Sequence, residues 1–175
     1  MKPILALSLM LLATPAMAAS PSRDAPFTNI DGGTLSLADY RGQPVLVVNT
    51  ASRCAYTRQY DGLQALWDRY RAAGLVVLAV PSDDFAQELG SAAEVKEFCA
   101  VNFDLTLPMT DITPVRGDAA HPFYAWVAET EGFSPAWNFN KILIARDGKV
   151  VATFGSGADP LGRAIVTAVE AELEQ

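Results

Sequence analysis

Apolar residues recur along this chain in two rhythms. Val45-Leu46-Val47-Val48 and Leu75 to Val80 are continuous apolar runs, the pattern of strands buried on both faces. Between them Leu63, Leu66, Trp67 and Tyr70 recur at three-and-four spacing, with Asp68, Arg69 and Arg71 on the other side. That spacing predicts an amphipathic helix, closed by Gly74. Strand, helix and strand in this order form a βαβ unit, which implies a parallel pair and a right-handed crossover.

The remaining segments fill in around that unit. Phe27 to Leu37 reads as a hairpin turning at Asp31-Gly32-Gly33. Ser91 and Glu94 form a capping-box pattern that opens a helix running through Cys99. A short strand is expected near Leu107 to Met109, and a helix over His121 to Ala128. Lys141 to Ala145 and Lys149 to Phe154 predict a second hairpin around Asp147-Gly148. Pro160 to Glu174, with Leu161, Ile165, Val166, Val169 and Leu173, predicts a closing amphipathic helix. The sequence has no repeats, low-complexity tracts or linkers. It predicts one α/β domain with a late antiparallel hairpin.

The first residues follow a different logic. Lys2, an apolar run from Ile4 to Ala13, and Ala16-Met17-Ala18 match a secretory signal peptide cleaved after Ala18. The run is about half the ~20 residues of a spanning helix, so stable membrane association is not expected. Cleavage leaves a single domain over 19–175, exported, with the bacterial periplasm as the expected address.

Charge narrows the possible partners. The chain carries 13 Lys and Arg against 20 Asp and Glu, a formal net charge of −7. A chain this acidic gains nothing from counterion release on nucleic acid. With one histidine, His121, and two cysteines, it offers no metal-ligand spacing. No cofactor is expected.

The cysteines remain. In an oxidising compartment a structural bridge between Cys54 and Cys99 is the plain expectation. Cys54, however, follows a buried strand and precedes a helix, and open α/β sheets bind ligands beyond the carboxyl ends of their strands. Backbone N–H groups and the helix dipole there favour the reactive thiolate. Arg53 and Arg58 either add positive potential or serve solubility. Position 57 is threonine, which excludes a CxxC dithiol shuttle.

Val48-Asn49-Thr50-Ala51-Ser52-Arg53-Cys54, with Thr57 and Gln59-Tyr60, resembles the active-site loop of cysteine-containing glutathione peroxidases. Pro81-Ser82-Asp83-Asp84-Phe85 with Gln87-Glu88, His121-Pro122-Phe123-Tyr124, and Trp137-Asn138-Phe139 with Lys141 resemble further blocks of that family, in the same order. The resemblance spans Phe27 to the C-terminus. It implies a thioredoxin-like fold with a central mixed sheet, and a thiol peroxidase acting on hydrogen peroxide or organic hydroperoxides in the oxidative stress response. Cys54, Gln87, Trp137 and Asn138 take the places of the catalytic tetrad. Cys99, followed by Phe103, takes the place of a resolving cysteine, through a Cys54–Cys99 disulfide that requires its helix to unwind.

Amide and indole donors suit the reaction, because breaking an O–O bond places negative charge on oxygen. Singly, Trp137 reads as core aromatic, Asn138 as turn residue and Gln87 as surface polar. The second block departs from the family's usual Pro-Cys-Asn-Gln-Phe, and Asp83 and Asp84 oppose a thiolate if they point inward. Pro108 to Ala120 is too short for the loop of tetrameric members, which implies a monomer. No basic glutathione pocket is evident, which favours a thioredoxin-like reductant over a glutathione-type one. The alternative is an exported thioredoxin-fold sensor or binding protein with a structural Cys54–Cys99 bridge. A dithiol oxidoreductase acting on proteins is the third reading, and Thr57 stands against it.

Overall fold

The structure, a computed structural model, describes residues 20–174; the leader read at 1–18 lies outside the described residues. A short hairpin, β1 (Phe27–Thr28) and β2 (Thr34–Leu35), precedes a four-stranded sheet of β3 (Val45–Thr50), β4 (Val76–Pro81), β5 (Lys141–Ile144) and β6 (Val150–Phe154). The order across the sheet is β4-β3-β5-β6. The β3–β4 pair is parallel and the other two pairs are antiparallel. This is the mixed sheet of the expected thioredoxin-like α/β fold.

The continuous apolar runs have a direct cause. Alternate residues of β3, β4 and β5 enter two separate cores, one on each face of the sheet. Leu46, Val48, Val77, Ala79 and Leu143 meet α1 (Gln59–Tyr70), α2 (Ala92–Phe103) and α4 (Arg163–Leu173) on one face. Val45, Val47, Val76, Leu78, Ile142 and Ile144 meet α3 (Pro122–Glu131) and the N-terminal hairpin on the other. Both cysteines belong to the first core.

Local signals held where they were strong. The Ser91 hydroxyl accepts from the Glu94 backbone N–H and opens α2. Gly74, at φ 106°, supplies the left-handed turn that ends the α1 segment. The expected strand near Leu107 to Met109 is only a single parallel bridge, Ala79 to Met109. Pro108 contributes there through its carbonyl alone, accepting from the Ala79 N–H. The last helix starts three residues later than its pattern suggested, because Gly162 is its N-cap and bonds back to the Asp159 carbonyl.

Candidate active site

Three loops, at the carboxyl ends of β3 and β4 and just before β5, are bonded to one another, and the first of them carries Cys54. Its own loop, 51–58, is locked by Thr57. The Thr57 hydroxyl accepts from the Cys54 N–H at 3.0 Å and lies 2.7 Å from the Cys54 carbonyl and 2.9 Å from that of Ala51. Thr57 N–H also donates to the Cys54 carbonyl. These bonds turn the chain before any helix begins. Helix α1 starts only at Gln59, with Arg58 as its N-cap, so Cys54 is not at the first turn of a helix as the pattern suggested. The Tyr56 N–H instead donates to the sulfur at 3.5 Å. Cys54 is 8% exposed. Arg53 and Arg58 are exposed.

The loop after β4 is strapped to this one. Arg53 N–H donates to the Gln87 carbonyl at 2.9 Å, and Ser52 N–H donates to Glu88 Oε1 at 3.0 Å. Ala86, at φ 54°, makes the left-handed turn that presents Gln87. The two acidic residues of the block face other partners. Asp84 Oδ2 accepts from the N–H groups of Val115 and Arg116, and Asp83 Oδ1 from that of Glu88.

The third loop precedes β5. Phe139, at φ 61°, is a second left-handed non-glycine turn, and its N–H donates to the Asn49 carbonyl. Asn49 and Asn140 amides both donate to the Trp137 carbonyl, at 3.0 and 3.1 Å. Below them Lys141 is fully buried, its ammonium donating to Gln59 Oε1 at 2.5 Å and to the Phe139 carbonyl at 2.8 Å. Burial pulls its pKa down to about 8, against the charge of Asp159. Asn138 is wholly buried and its amide donates to Gln87 Oε1 at 3.0 Å. Trp137 is 41% exposed, with its ring 5.2 Å from that of Phe85.

Gln87 and Asn138 are therefore joined directly, and Gln87 is tied by its backbone to the residue before Cys54. Trp137 stands at the surface beside them, so it is no core aromatic. Cys99 is 2% exposed on α2, both thiols are free, and burial pushes the Cys99 pKa up to about 11. No group of three or more metal-ligating side chains occurs among the described residues. No described helix is long and apolar enough to cross a membrane. His121 is a structural residue. Its ring stacks on Phe27 at 3.8 Å, one nitrogen caps α3 and the other bonds the Pro26 carbonyl.

The glutathione peroxidase family model matches residues 24–128. The chain belongs to the glutathione peroxidase family. As a glutathione peroxidase homologue it is an oxidoreductase acting on peroxide. It is 39% identical to a glutathione peroxidase of Lactococcus lactis, over 78% of this chain and 90% of that one. It is likewise 39% identical to the hydroperoxy fatty acid reductase gpx1 of Synechocystis, over 75% and 84%. The apo structure of Trgpx superposes with a TM-score of 0.69 at 31% identity, covering 90% of this chain and 98% of that one.

Sequence reasoning passed over the supports of this site. Asn49 and Thr57 enter the sequence reading as members of the resembling loop, without a structural role, and Asn140 does not enter it. Their signal is polar side chains at the ends of otherwise apolar strands. Buried polar groups there are kept only where bonds await them.

Proposed function

We propose that Cys54 is the peroxidatic residue of a thiol peroxidase for hydrogen peroxide and organic hydroperoxides. The thiolate attacks one peroxide oxygen and the O–O bond breaks. The other oxygen leaves with the electron pair and takes a proton, giving water or an alcohol, and Cys54 becomes a sulfenic acid. Gln87, Trp137 and Asn138 donate hydrogen bonds to the oxygens on which charge develops. The observation that carries this reading is the Asn138–Gln87 bond. It occupies Gln87 Oε1 and leaves the amide nitrogen as the donor. A groove of about 250 Å³ runs beside the Cys54 loop, lined by Ala55, Tyr56, Gly62, Gly157 and Pro160 with the polar Arg58, Gln59 and Asp159. It gives room for an alkyl chain, and the likeness to a hydroperoxy fatty acid reductase supports organic substrates.

Cys99 resolves the sulfenic acid as a Cys54–Cys99 disulfide, and an exported thioredoxin-like dithiol, rather than glutathione, re-reduces it. The protein works as a monomer in the periplasm after cleavage following Ala18, without stable membrane association. The test is rapid mixing of reduced 19–175 with hydrogen peroxide and with cumene hydroperoxide. Rapid oxidation that is lost in Cys54→Ser, with sulfenic acid trapped in Cys99→Ser, is the expected result. An unreactive dithiol overturns it. The mass of the secreted protein checks the cleavage site.

A further inference from the structure

The Trp137 carbonyl is held by the Asn49 and Asn140 amides, which fixes the backbone there and leaves the side-chain torsions free. The indole is 41% exposed, and an exposed side chain changes rotamer within nanoseconds. A donor that serves developing charge has to be aimed before the reaction starts. The backbone alone does not aim this one.

Phe85 is placed to do so. Its ring stands 5.2 Å from the indole at an interplanar angle of 50°, within the range of attractive aromatic pairs. No other aromatic ring contacts Trp137 among the described residues. Phe85 is itself half-buried and packs against the core on the α3 side of the sheet. The Arg116 guanidinium lies over its ring, 5.1 Å from the centre, close enough for a cation–π attraction.

Asp84 anchors this arrangement. Asp84 and Phe85 are the central residues of a turn closed by the Ala86 N–H, which donates to the Asp83 carbonyl at 2.8 Å. From that turn Asp84 Oδ2 accepts from the Val115 N–H at 2.6 Å and the Arg116 N–H at 3.1 Å. One carboxylate oxygen thus binds the backbone of the residue whose guanidinium covers the neighbouring ring. The Thr113 N–H, donating to the Pro81 carbonyl at 2.8 Å, ties the same two segments again. An acidic residue that departs from the family's usual block is here a structural anchor.

We propose that Phe85 is a positioning residue for the peroxide reaction, setting the angle at which the Trp137 indole meets the substrate, and that Asp84 and Arg116 hold it there. The inference rests on the reading of Trp137 as a donor to the peroxide oxygens. The turn leads directly into Ala86 and Gln87. One short segment therefore aims two of the three donors, Gln87 through its own backbone and Trp137 through a ring.

Reduced 19–175 carrying 5-fluorotryptophan gives a fluorine resonance for each of Trp67, Trp126 and Trp137, and Trp137→Phe assigns the last. Phe85→Leu keeps the apolar bulk and loses the ring. In it the Trp137 resonance should move while those of Trp67 and Trp126 stay. In unlabelled protein, stopped-flow oxidation by hydrogen peroxide should slow on the order of tenfold. Phe85→Tyr should restore both. Asp84→Ala, which removes no core side chain, should follow Phe85→Leu in direction. Asp84→Asn keeps an acceptor for the two N–H groups and should stay near the parent. Added to Trp137→Phe, Phe85→Leu should cost nothing further, because the two residues act as one unit. A Trp137 resonance unmoved in Phe85→Leu, an unchanged rate there, or a full further loss in the double variant overturns the inference while leaving Trp137 as donor. If Trp137→Phe itself reacts at the parent rate, the donor reading fails first and the role of Phe85 falls with it.

Discussion

The Asn138 amide donates to Gln87 Oε1 across 3.0 Å, joining residues 51 positions apart. The bond fixes which end of Gln87 is available, because an amide with its oxygen engaged presents its N–H₂. Asn138→Asp reverses that polarity. A carboxylate at 138 accepts rather than donates, so Gln87 turns its nitrogen inward and presents oxygen. We expect the second-order rate constant for peroxide to fall on the order of 100-fold or more, as for loss of a preorganised donor. Asn138→Ala should cost less, and stopped-flow oxidation ranks the two. Equal loss in both variants would show that the orientation of Gln87 is irrelevant.

Thr57 holds the Cys54 loop through one hydroxyl. Thr57→Val keeps the shape and leaves the buried Cys54 N–H without its acceptor, at about 1–3 kcal/mol. For a domain of this size that is a fall in melting temperature of roughly 2–12 °C. Calorimetry on the reduced protein measures it. An unchanged midpoint would mean that water replaces the hydroxyl.

Cys99 makes the reduced protein sensitive to alkali. Burial raises its folded pKa to about 11, from 9.0. Its thiol therefore stays protonated in the fold while the unfolded thiol ionises. The unfolded state binds fewer protons, so stability is lost as pH rises from about 9 to 11, on the order of 2 kcal/mol. Cys99→Ala lacks this loss. The stability of the parent relative to the variant should decline over that window in urea titrations under reducing conditions.

Lys141 has the opposite sign. Its folded pKa is pulled down to about 8, from 10.5, so burial of its charge destabilises the fold below pH 8. That cost is relieved as pH rises from 8 to 10.5, where the folded lysine is neutral and the unfolded one still charged. Lys141→Met removes the cost but leaves Gln59 Oε1 and the Phe139 carbonyl without their donor. The turn carrying Trp137 and Asn138 then loosens, and we expect peroxide reactivity to fall at least about tenfold, as for a small misplacement of catalytic groups. Unchanged reactivity would show that Asn49 and Asn140 hold the turn alone.

Several elements were legible from one dimension because their signals are local. The runs at Val45 to Val48 and Leu75 to Val80 could only be strands covered on both faces. The spacing of Leu63, Leu66 and Tyr70 fixed the helix between them, and Ser91 with Glu94 fixed the start of α2. The blocks around Cys54, Gln87 and Trp137 marked the family.

What the sequence could not supply was decided by contacts between distant segments. Helical dipole stabilisation of Cys54 was the local expectation, yet Thr57 bonds back to Ala51 and Cys54 and delays α1 to Gln59. Ala86 and Phe139 adopt left-handed backbone that their side chains disfavour, so neither residue announces the turn that aims Gln87 or Asn138. The blocks that contain Lys141 and Glu88 do not announce that the fold buries both charges. Periodicity reports which face of an element meets apolar neighbours. A buried polar side chain depends instead on which particular partner arrives opposite it, and only the packed chain determines that.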